Sequence, residues 1–375
     1  MRSTVRILFL TPLYVPCVGG LETFVRQLAP EVVSRGHDVA IITSHGRESI
    51  SGFEYLDDIP VRRVDAHDVV EARDAEGVLR VELEILRFAR EFDPDLVHSH
   101  DAGPVLWMYR RAARRERRPL VVTLHNVMTR KFASVLVVLA KMLRDADWVT
   151  GVSQAVVDDV LSYERSVASR MSVITNGIVP PVVDVSPIPD GPARLLCMGR
   201  LDEQKGFDVA ITALALVRER HPNVRLVIAG DGPERNRLIA TASGLGVDDS
   251  IDFLGTVSRS RVATLFRECA AVVMPSRFEG LPLVALEAAW AGRPVIAADA
   301  PGLSEAVVPG ETALMVPPED PHALASAIVR LLDSPDRAGA LGRKARTVAA
   351  ARYSLDRCAD EYEALYNRVI GNAVC

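Results

Sequence analysis

The stretch Pro275-Ser276-Arg277-Phe278-Glu279-Gly280-Leu281-Pro282-Leu283-Val284-Ala285-Leu286-Glu287-Ala288-Ala289 joins two structural elements and places two carboxylates between and on them. It leaves an apolar run, Ala271–Pro275, whose unbroken hydrophobicity fits a strand buried on both faces. It then crosses a short loop carrying Glu279 and enters a helix expected over Leu283–Ala291. Glu287 falls within the first two turns of that helix, among Leu, Val and Ala. A carboxylate in such company needs a partner. The 2′- and 3′-hydroxyls of a ribose would supply two donors, and Gly280 would bare backbone N–H groups at the helix start. Two acids at this spacing are a weak signal alone and gain meaning from their neighbours.

Outward from this stretch the same alternation continues. Strands are expected at Arg194–Gly199, Val224–Gly230, Ile251–Leu254 and Pro294–Ala298, with helices at Phe207–Arg220, Pro233–Ser243 and Arg259–Arg267. The last sixty residues read as mostly helical, ending in Leu355–Ile370. Upstream, strands at Val5–Leu10, Val39–Thr43, Asp95–His100, Leu120–His125 and Trp148–Val152 alternate with helices such as Leu21–Arg35, Val78–Phe92 and Val105–Arg115. Apolar strands separated by helices predict parallel sheets covered on both faces. Between the halves, Ile178–Pro192 holds Pro180, Pro181, Pro187, Pro189 and Pro192. Proline removes donors and fixes φ, so this segment reads as a linker. The expectation is an N-terminal domain over 1–179, a C-terminal domain over 193–351 and a final helix over 352–375.

Within the second half, Cys197-Met198-Gly199-Arg200-Leu201-Asp202-Glu203-Gln204-Lys205-Gly206 ends a strand and opens a helix. Two cations beside a helix N-terminus favour a diphosphate, because charge, amide donors and dipole act together. In the first half, Gly19-Gly20 precedes a helix. It reads equally as a close approach to an anion or as a tight turn with positive φ. His98 and His100 share one face of a strand near its end. No third ligand stands at metal spacing, so a polar substrate contact is favoured over a metal, with a structural role open for His98. His125 carries the same ambiguity. No GxGxxG or Walker A motif occurs.

Taken together these residues resemble the retaining glycosyltransferases of family 4. The match rests on Glu279 and Glu287 with seven residues between them, on Gly199-Arg200 with Lys205, and on Val227-Ile-Ala-Gly-Asp-Gly232-Pro233. Phe253-Leu-Gly255, Val173-Ile-Thr-Asn176-Gly177, Gly19-Gly20-Leu-Glu and His98-Ser-His100 add to it, so the resemblance runs nearly end to end. It implies the GT-B fold: two Rossmann-like, doubly wound parallel-sheet domains facing each other across a cleft, with a last helix crossing back. It implies a nucleotide-diphosphate sugar donor held by the C-terminal domain and an acceptor held mainly by the N-terminal one. Carried over, Arg200 and Lys205 hold the diphosphate and Glu287 binds the ribose. Glu279, with the backbone of Gly280, Leu281, Pro282 and Leu283, contacts sugar and phosphate. Val257 meets the base, Gly20 borders the diphosphate, and His100 reaches the sugar. The group expected to act in catalysis is His100, Arg200, Lys205 and Glu279. In Pro301-Gly302-Leu303-Ser304-Glu305, Leu-Ser stands where the family often has Gly or Ile followed by Pro.

The donor is expected to be a UDP-sugar first and a GDP-sugar next, with no metal and no other cofactor. The acceptor stays open among glycans, lipid-linked sugars and small molecules; the loops Gly46–Pro60 and Asn126–Lys131 carry no decipherable motif. A sugar-nucleotide epimerase or hydrolase on the same architecture, and a non-catalytic sugar-nucleotide binder, are the alternatives. With 375 residues, 49% apolar and 25% charged, the chain is that of a folded protein, and a net charge of -5 disfavours nucleic acid. No apolar stretch reaches bilayer length, Phe132–Leu143 being too short and interrupted by Lys141. Five scattered cysteines give no disulfide framework or zinc site, which points to the cytoplasm. Val105–Arg118, apolar at first and then arginine-rich, reads either as a solvated helix face or as a weak peripheral contact with anionic lipid.

Overall fold

The computed structural model describes residues 4–44, 52–128, 135–180, 188–189 and 191–374. The chain divides into two compact units, one built from residues 1–177 and 355–375, the other from residues 178–354.

The first unit starts with β1 (Arg6–Thr11), α1 (Gly20–Ser34) and β2 (Asp38–Ser44). It continues through β3 (Gly52–Leu56), β4 (Ile59–Val64), α2 (Ala66–Glu71), α3 (Ala75–Phe92), β5 (Leu96–Ser99) and α4 (Pro104–Ala112). Then come β6 (Leu120–Leu124), α5 (Leu136–Arg144), β7 (Trp148–Gly151), α6 (Gln154–Tyr163) and β8 (Met171–Val173). Its eight-stranded sheet runs β3-β4-β2-β1-β5-β6-β7-β8, parallel throughout except for the β3–β4 pair. β1 is buried along its length and pairs in register with β2, Ile7 opposite Val39, and with β5, Ile7 opposite Leu96. That double burial is why it reads as an unbroken apolar run.

The hairpin corrects one expectation. Part of the stretch read as the loop Gly46–Pro60 is strand, closed by Asp57 and Asp58, both with positive φ. Such a two-residue turn matches the twist of its strands. Residues 46–51, 129–131 and 181–187, which belong to the expected acceptor loops and linker, lie outside the described residues.

The second unit holds β9 (Arg194–Met198), α7 (Phe207–Arg218), β10 (Arg225–Ala229), α8 (Arg235–Gly244), β11 (Ile251–Gly255) and α9 (Arg259–Glu268). β12 (Ala271–Met274), α10 (Leu283–Trp290), β13 (Val295–Ala298), β14 (Ala313–Val316), α11 (Pro321–Leu332) and α12 (Pro335–Arg352) complete it. Its six-stranded sheet is parallel, in the order β11-β10-β9-β12-β13-β14. Helices pack over it around a core of Leu195, Ile211, Leu214, Ile228 and Ile296. β14 escaped the sequence reading because only four residues separate flanking loops rich in Pro and Gly.

The last helix, α13 (Leu355–Val374), belongs to the first unit. Arg35, just past α1, pairs with Glu31 and Asp360 and donates to the Asp356 carbonyl at 2.9 Å. Where the chain passes between the units, the Ile178 N–H donates to Tyr353 O at 3.0 Å and Ile178 bridges Ser354.

α4 corrects the reading of Val105–Arg118. Val105, Leu106, Met108 and Tyr109 are buried within the protein. Arg111 pairs with Glu82 on α3 at 2.7 Å, and Arg110, Arg117 and Arg118 pair with Asp145, Asp147 and Asp93. Most of the apolar half is covered by its own unit, and the half-buried Trp107 lies under the Arg111 guanidinium.

Candidate active site

In the second unit, two loops at the carboxyl ends of β9 and β12 carry the expected donor residues. The first turns at Gly199, with φ of 146°, runs through Arg200 and a short 3-10 turn over Glu203–Lys205, and enters α7 after Gly206. Gly206 has φ of 63°, and a Cβ there would lie 2.1 Å from the Pro275 carbonyl oxygen. The backbone itself therefore brings the two loops together, and only glycine permits it.

Across that contact, Lys205 Nζ donates to both Glu279 carboxylate oxygens, at 2.7 and 2.9 Å. Ser276 Oγ donates to Glu279 Oε1 at 2.7 Å. Glu279 is 4% exposed, so its charge depends on these partners. Its N–H donates to Pro301 O at 2.9 Å. Gly302, with φ of 73°, presses against the carbonyls of Glu279 and Gly280, where a Cβ would come within 2.3 Å of Gly280 O. The Pro301–Glu305 loop is therefore seated on Glu279 despite its Leu-Ser departure. Leu303 is buried, and Ser304 Oγ donates to Asp299 Oδ1 at 2.7 Å.

Glu287 stands in the second turn of α10, half-buried, and its carboxylate has no hydrogen-bond or ion-pair partner among the described residues. Burial pushes its pKa up to about 7, against the opposing charge of Arg259 at the start of α9. Gly280, Leu281, Pro282 and Leu283 form the buried entry to α10. Val257 is half-buried in the loop between β11 and α9. Arg200 is largely exposed, with Asp202 4.0 Å away as its ion-pair neighbour. The structure thus joins Lys205 to Glu279 directly, while Arg200 and Glu287 keep their charged ends unengaged by close protein partners.

In the first unit, Gly19 caps α1 with extended backbone at φ of -171°, and Gly20 begins the helix. Neither has positive φ, so the tight-turn reading of this pair is set aside. His98 Nδ1 and Nε2 lie 2.7 Å from Tyr366 Oη of α13 and from Thr123 Oγ1 of β6. Thr123 Oγ1 in turn meets Thr150 Oγ1 at 2.6 Å and Tyr362 Oη at 3.2 Å. With both ring nitrogens engaged and no exposed surface, His98 is a structural residue. The His100 ring lies 4.0 Å from it, centroid to centroid and tilted by 39°, with Phe9 and Phe24 in edge contact. His100 Nδ1 lies 3.4 Å from His125 Nε2, and its buried Nε2 has no hydrogen-bond partner among the described residues. Burial, then the neighbouring histidines, hold His100 well below the usual imidazole range; burial alone brings His125 down to about 3. The cluster is neutral. Among the described residues no group of three or more His, Cys, Asp or Glu is placed to hold a metal.

Sequence reasoning missed Ser276, Gln204 and Arg277, which buttress the two loops. They flank the expected residues, but their partners lie on other segments, so their positions carry no signal in the sequence.

The comparisons with known proteins agree with this geometry. The family model described as "Glycosyltransferase Family 4" matches residues 18–180, and "Glycosyl transferases group 1" matches residues 182–348. A glycogen synthase of Mycobacterium tuberculosis is 30% identical, over 91% of this chain and 89% of its own length. A D-inositol 3-phosphate glycosyltransferase of Acidothermus cellulolyticus is 32% identical, over 86% of this chain and 81% of its own. Among solved structures, a sucrose-phosphate synthase from Thermosynechococcus elongatus superposes with a TM-score of 0.85, at 23% identity over 98% and 100% of the two chains. The fold is GT-B, and the chain belongs to glycosyltransferase family 4 and is a glycosyltransferase that uses a nucleotide-sugar donor.

Proposed function

We propose that the protein transfers a hexose, with retention at the anomeric carbon, from a UDP-sugar to a hydroxyl of a glycan, glycolipid or small metabolite, GDP-sugars being the second choice of donor. The observation that carries this reading is Glu287: a half-buried carboxylate, without a hydrogen-bond or ion-pair partner among the described residues, in the second turn of the helix that follows the Lys205–Glu279 pair. A ribose diol would satisfy it. The sugar would then fall toward Glu279 and the entry to α10, and the base toward Val257.

In this reading Lys205 has spent two of its N–H donors on Glu279 and keeps one for a phosphate oxygen. Arg200, unburied and weakly paired, supplies the mobile charge. As the nucleotide leaves, its diphosphate gains negative charge, and these cations with the first amides of α10 stabilise it. Each charged hydrogen bond is worth about 1.5–3 kcal/mol. With two cations at hand, no divalent metal is invoked. The roles of His100 toward the sugar and of Gly20 toward the diphosphate are proposed on the family resemblance alone. The choice of UDP draws support from the Anabaena protein HepE, solved with UDP and glucose, at a TM-score of 0.81 and 23% identity over 96% of this chain and 99% of that one. Cys197, Cys269 and Cys358 are buried free thiols, which suits a cytoplasmic site of action.

A thermal-shift panel of UDP-, GDP-, ADP- and TDP-sugars on the wild type, Glu287→Ala and Lys205→Ala tests the reading. A ligand at 100 Kd adds about 2.7 kcal/mol. A shift for one base, lost in both variants, supports the assignment; no shift for any overturns it.

A further inference from the structure

The two donor loops are held in register by a second set of bonds that touches neither Lys205 nor Glu279. The Arg277 N–H donates to Gln204 O at 2.8 Å, and Gln204 Nε2 returns a bond to Phe278 O at 3.0 Å. The Arg277 side chain then spans three segments. Its Nη1 donates to Glu203 O at 2.5 Å, its two terminal nitrogens meet the Asp208 carboxylate at 3.3 and 3.2 Å, and its Nε donates to Glu319 at 2.9 Å. Asp208 opens α7, and Glu319 lies between β14 and α11. Arg237 on α8 adds a second cation 3.7 Å from Asp208.

We propose that Arg277 is a positioning residue: by clamping the 203–208 turn to the loop after β12, it fixes the height of Lys205 Nζ over Glu279 and hence the pocket for the donor's outer phosphate. The inference rests on the donor-site reading above. Its physical basis is the shape of the guanidinium: four bonds leave three nitrogens spread across a plane, whereas an ammonium has three donors on a single atom. Lys205 by contrast hangs on four flexible methylenes. Its Nζ is placed by where its backbone sits, and that backbone is bracketed by Glu203 O, Gln204 O and Asp208, all bonded to Arg277. Glu287, eight residues beyond Glu279 on a helix fixed by its own packing, is outside the clamp.

Two halves of one ligand therefore separate the effect. UMP presents the base, the ribose and one phosphate, while UDP adds the second phosphate. Kd is measured by calorimetry for both, and for the GMP/GDP and AMP/ADP pairs, on the wild type, Arg277→Ala, Arg277→Lys and Gln204→Ala. The wild type is expected to bind one diphosphate at least tenfold tighter than its monophosphate. In Arg277→Ala that ratio falls by about tenfold while monophosphate affinity changes less than threefold. Arg277→Lys, which retains the charge and loses the fork, shows the same loss, and Gln204→Ala a smaller one. An unchanged ratio in Arg277→Ala overturns the clamp. So does a parallel fall of both affinities, which would mark a general role in the fold, and so does full recovery in Arg277→Lys, which would reduce the role to charge. If the wild type prefers no diphosphate of any base, the donor-site reading itself fails and the clamp falls with it.

Discussion

Lys205 and Glu279, 74 residues apart in sequence, face each other as a bidentate ion pair in which Lys205 Nζ reaches both carboxylate oxygens within 2.9 Å. The pair is nearly out of water, with side-chain exposures of 20% and 6%. Breaking it from one side leaves the other charge stranded, which costs more than removing both.

Lys205→Met is accordingly expected to lower stability by about 3 kcal/mol, and the double variant Lys205→Met/Glu279→Gln by clearly less than the sum of the single losses. Urea unfolding of the four proteins in the cycle measures the coupling. Additive losses would mean that the pair is not coupled.

Glu287 makes the donor site pH-dependent. With its pKa near 7, the carboxyl is half protonated at neutral pH, and a ribose diol is best received by the ionised form. Donor affinity is expected to rise as pH increases from 6 to 8, and Glu287→Gln is expected to flatten the profile at the low-affinity end. Titration calorimetry of UDP across that range checks it. A wild-type profile as flat as the variant's would contradict it.

Three neighbouring histidines, His98, His100 and His125, shape stability in acid. Their folded-state pKa values lie below the ordinary imidazole range, so unfolding takes up protons once pH drops below about 6.5. Glu287 works the other way, because its raised pKa makes unfolding release a proton between roughly 4.5 and 7. At pH 5.5 the sum is an uptake of about two protons, worth roughly 2.7 kcal/mol of stability per pH unit. Unfolding free energy should fall steeply from pH 6.5 to 5.5, and His125→Gln should soften the slope by about half. Urea midpoints across this range give the answer.

Gly206 is where the two loops touch by backbone. Gly206→Ala forces a Cβ against Pro275 O in a left-handed conformation, and a loss of about 3 kcal/mol is expected. Nucleotide affinity should fall with it, since Lys205 is the next residue. Gly246→Ala, also at positive φ but with open space around its Cβ, controls for backbone strain alone and should cost less.

Much of this architecture was legible because the residues that matter locally are also local in sequence. β1, β9 and β12 are buried on both faces and so read as plain apolar runs. Glu279 and Glu287 sit on one loop and its helix, where spacing alone sets their relation. What escaped depends on partners far along the chain. Nothing near Val105 says that α3 covers α4, so the apolar half of that helix read as available. His98 finds Tyr366 268 residues away. β3 alternates half-buried and exposed residues at the sheet edge, with Glu54 between Phe53 and Tyr55, and carries too little apolar signal to read as a strand. Arg277 lies inside the decisive stretch, yet its side-chain acceptors lie on the 203–208 turn and at Glu319, an approach that no spacing encodes.

The contact between Tyr366 and His98 also orders events during synthesis. Residues 178–354 form an uninterrupted stretch and hold every strand of their own sheet, so they can complete a core as they leave the ribosome. The first unit has no such freedom. Its sheet is made early, but Tyr362 and Tyr366, which satisfy Thr123 and His98, emerge only after the whole of the other unit. The unit that begins first in the chain is therefore the last to finish folding, and until α13 arrives its buried histidine must wait for a hydrogen-bond partner.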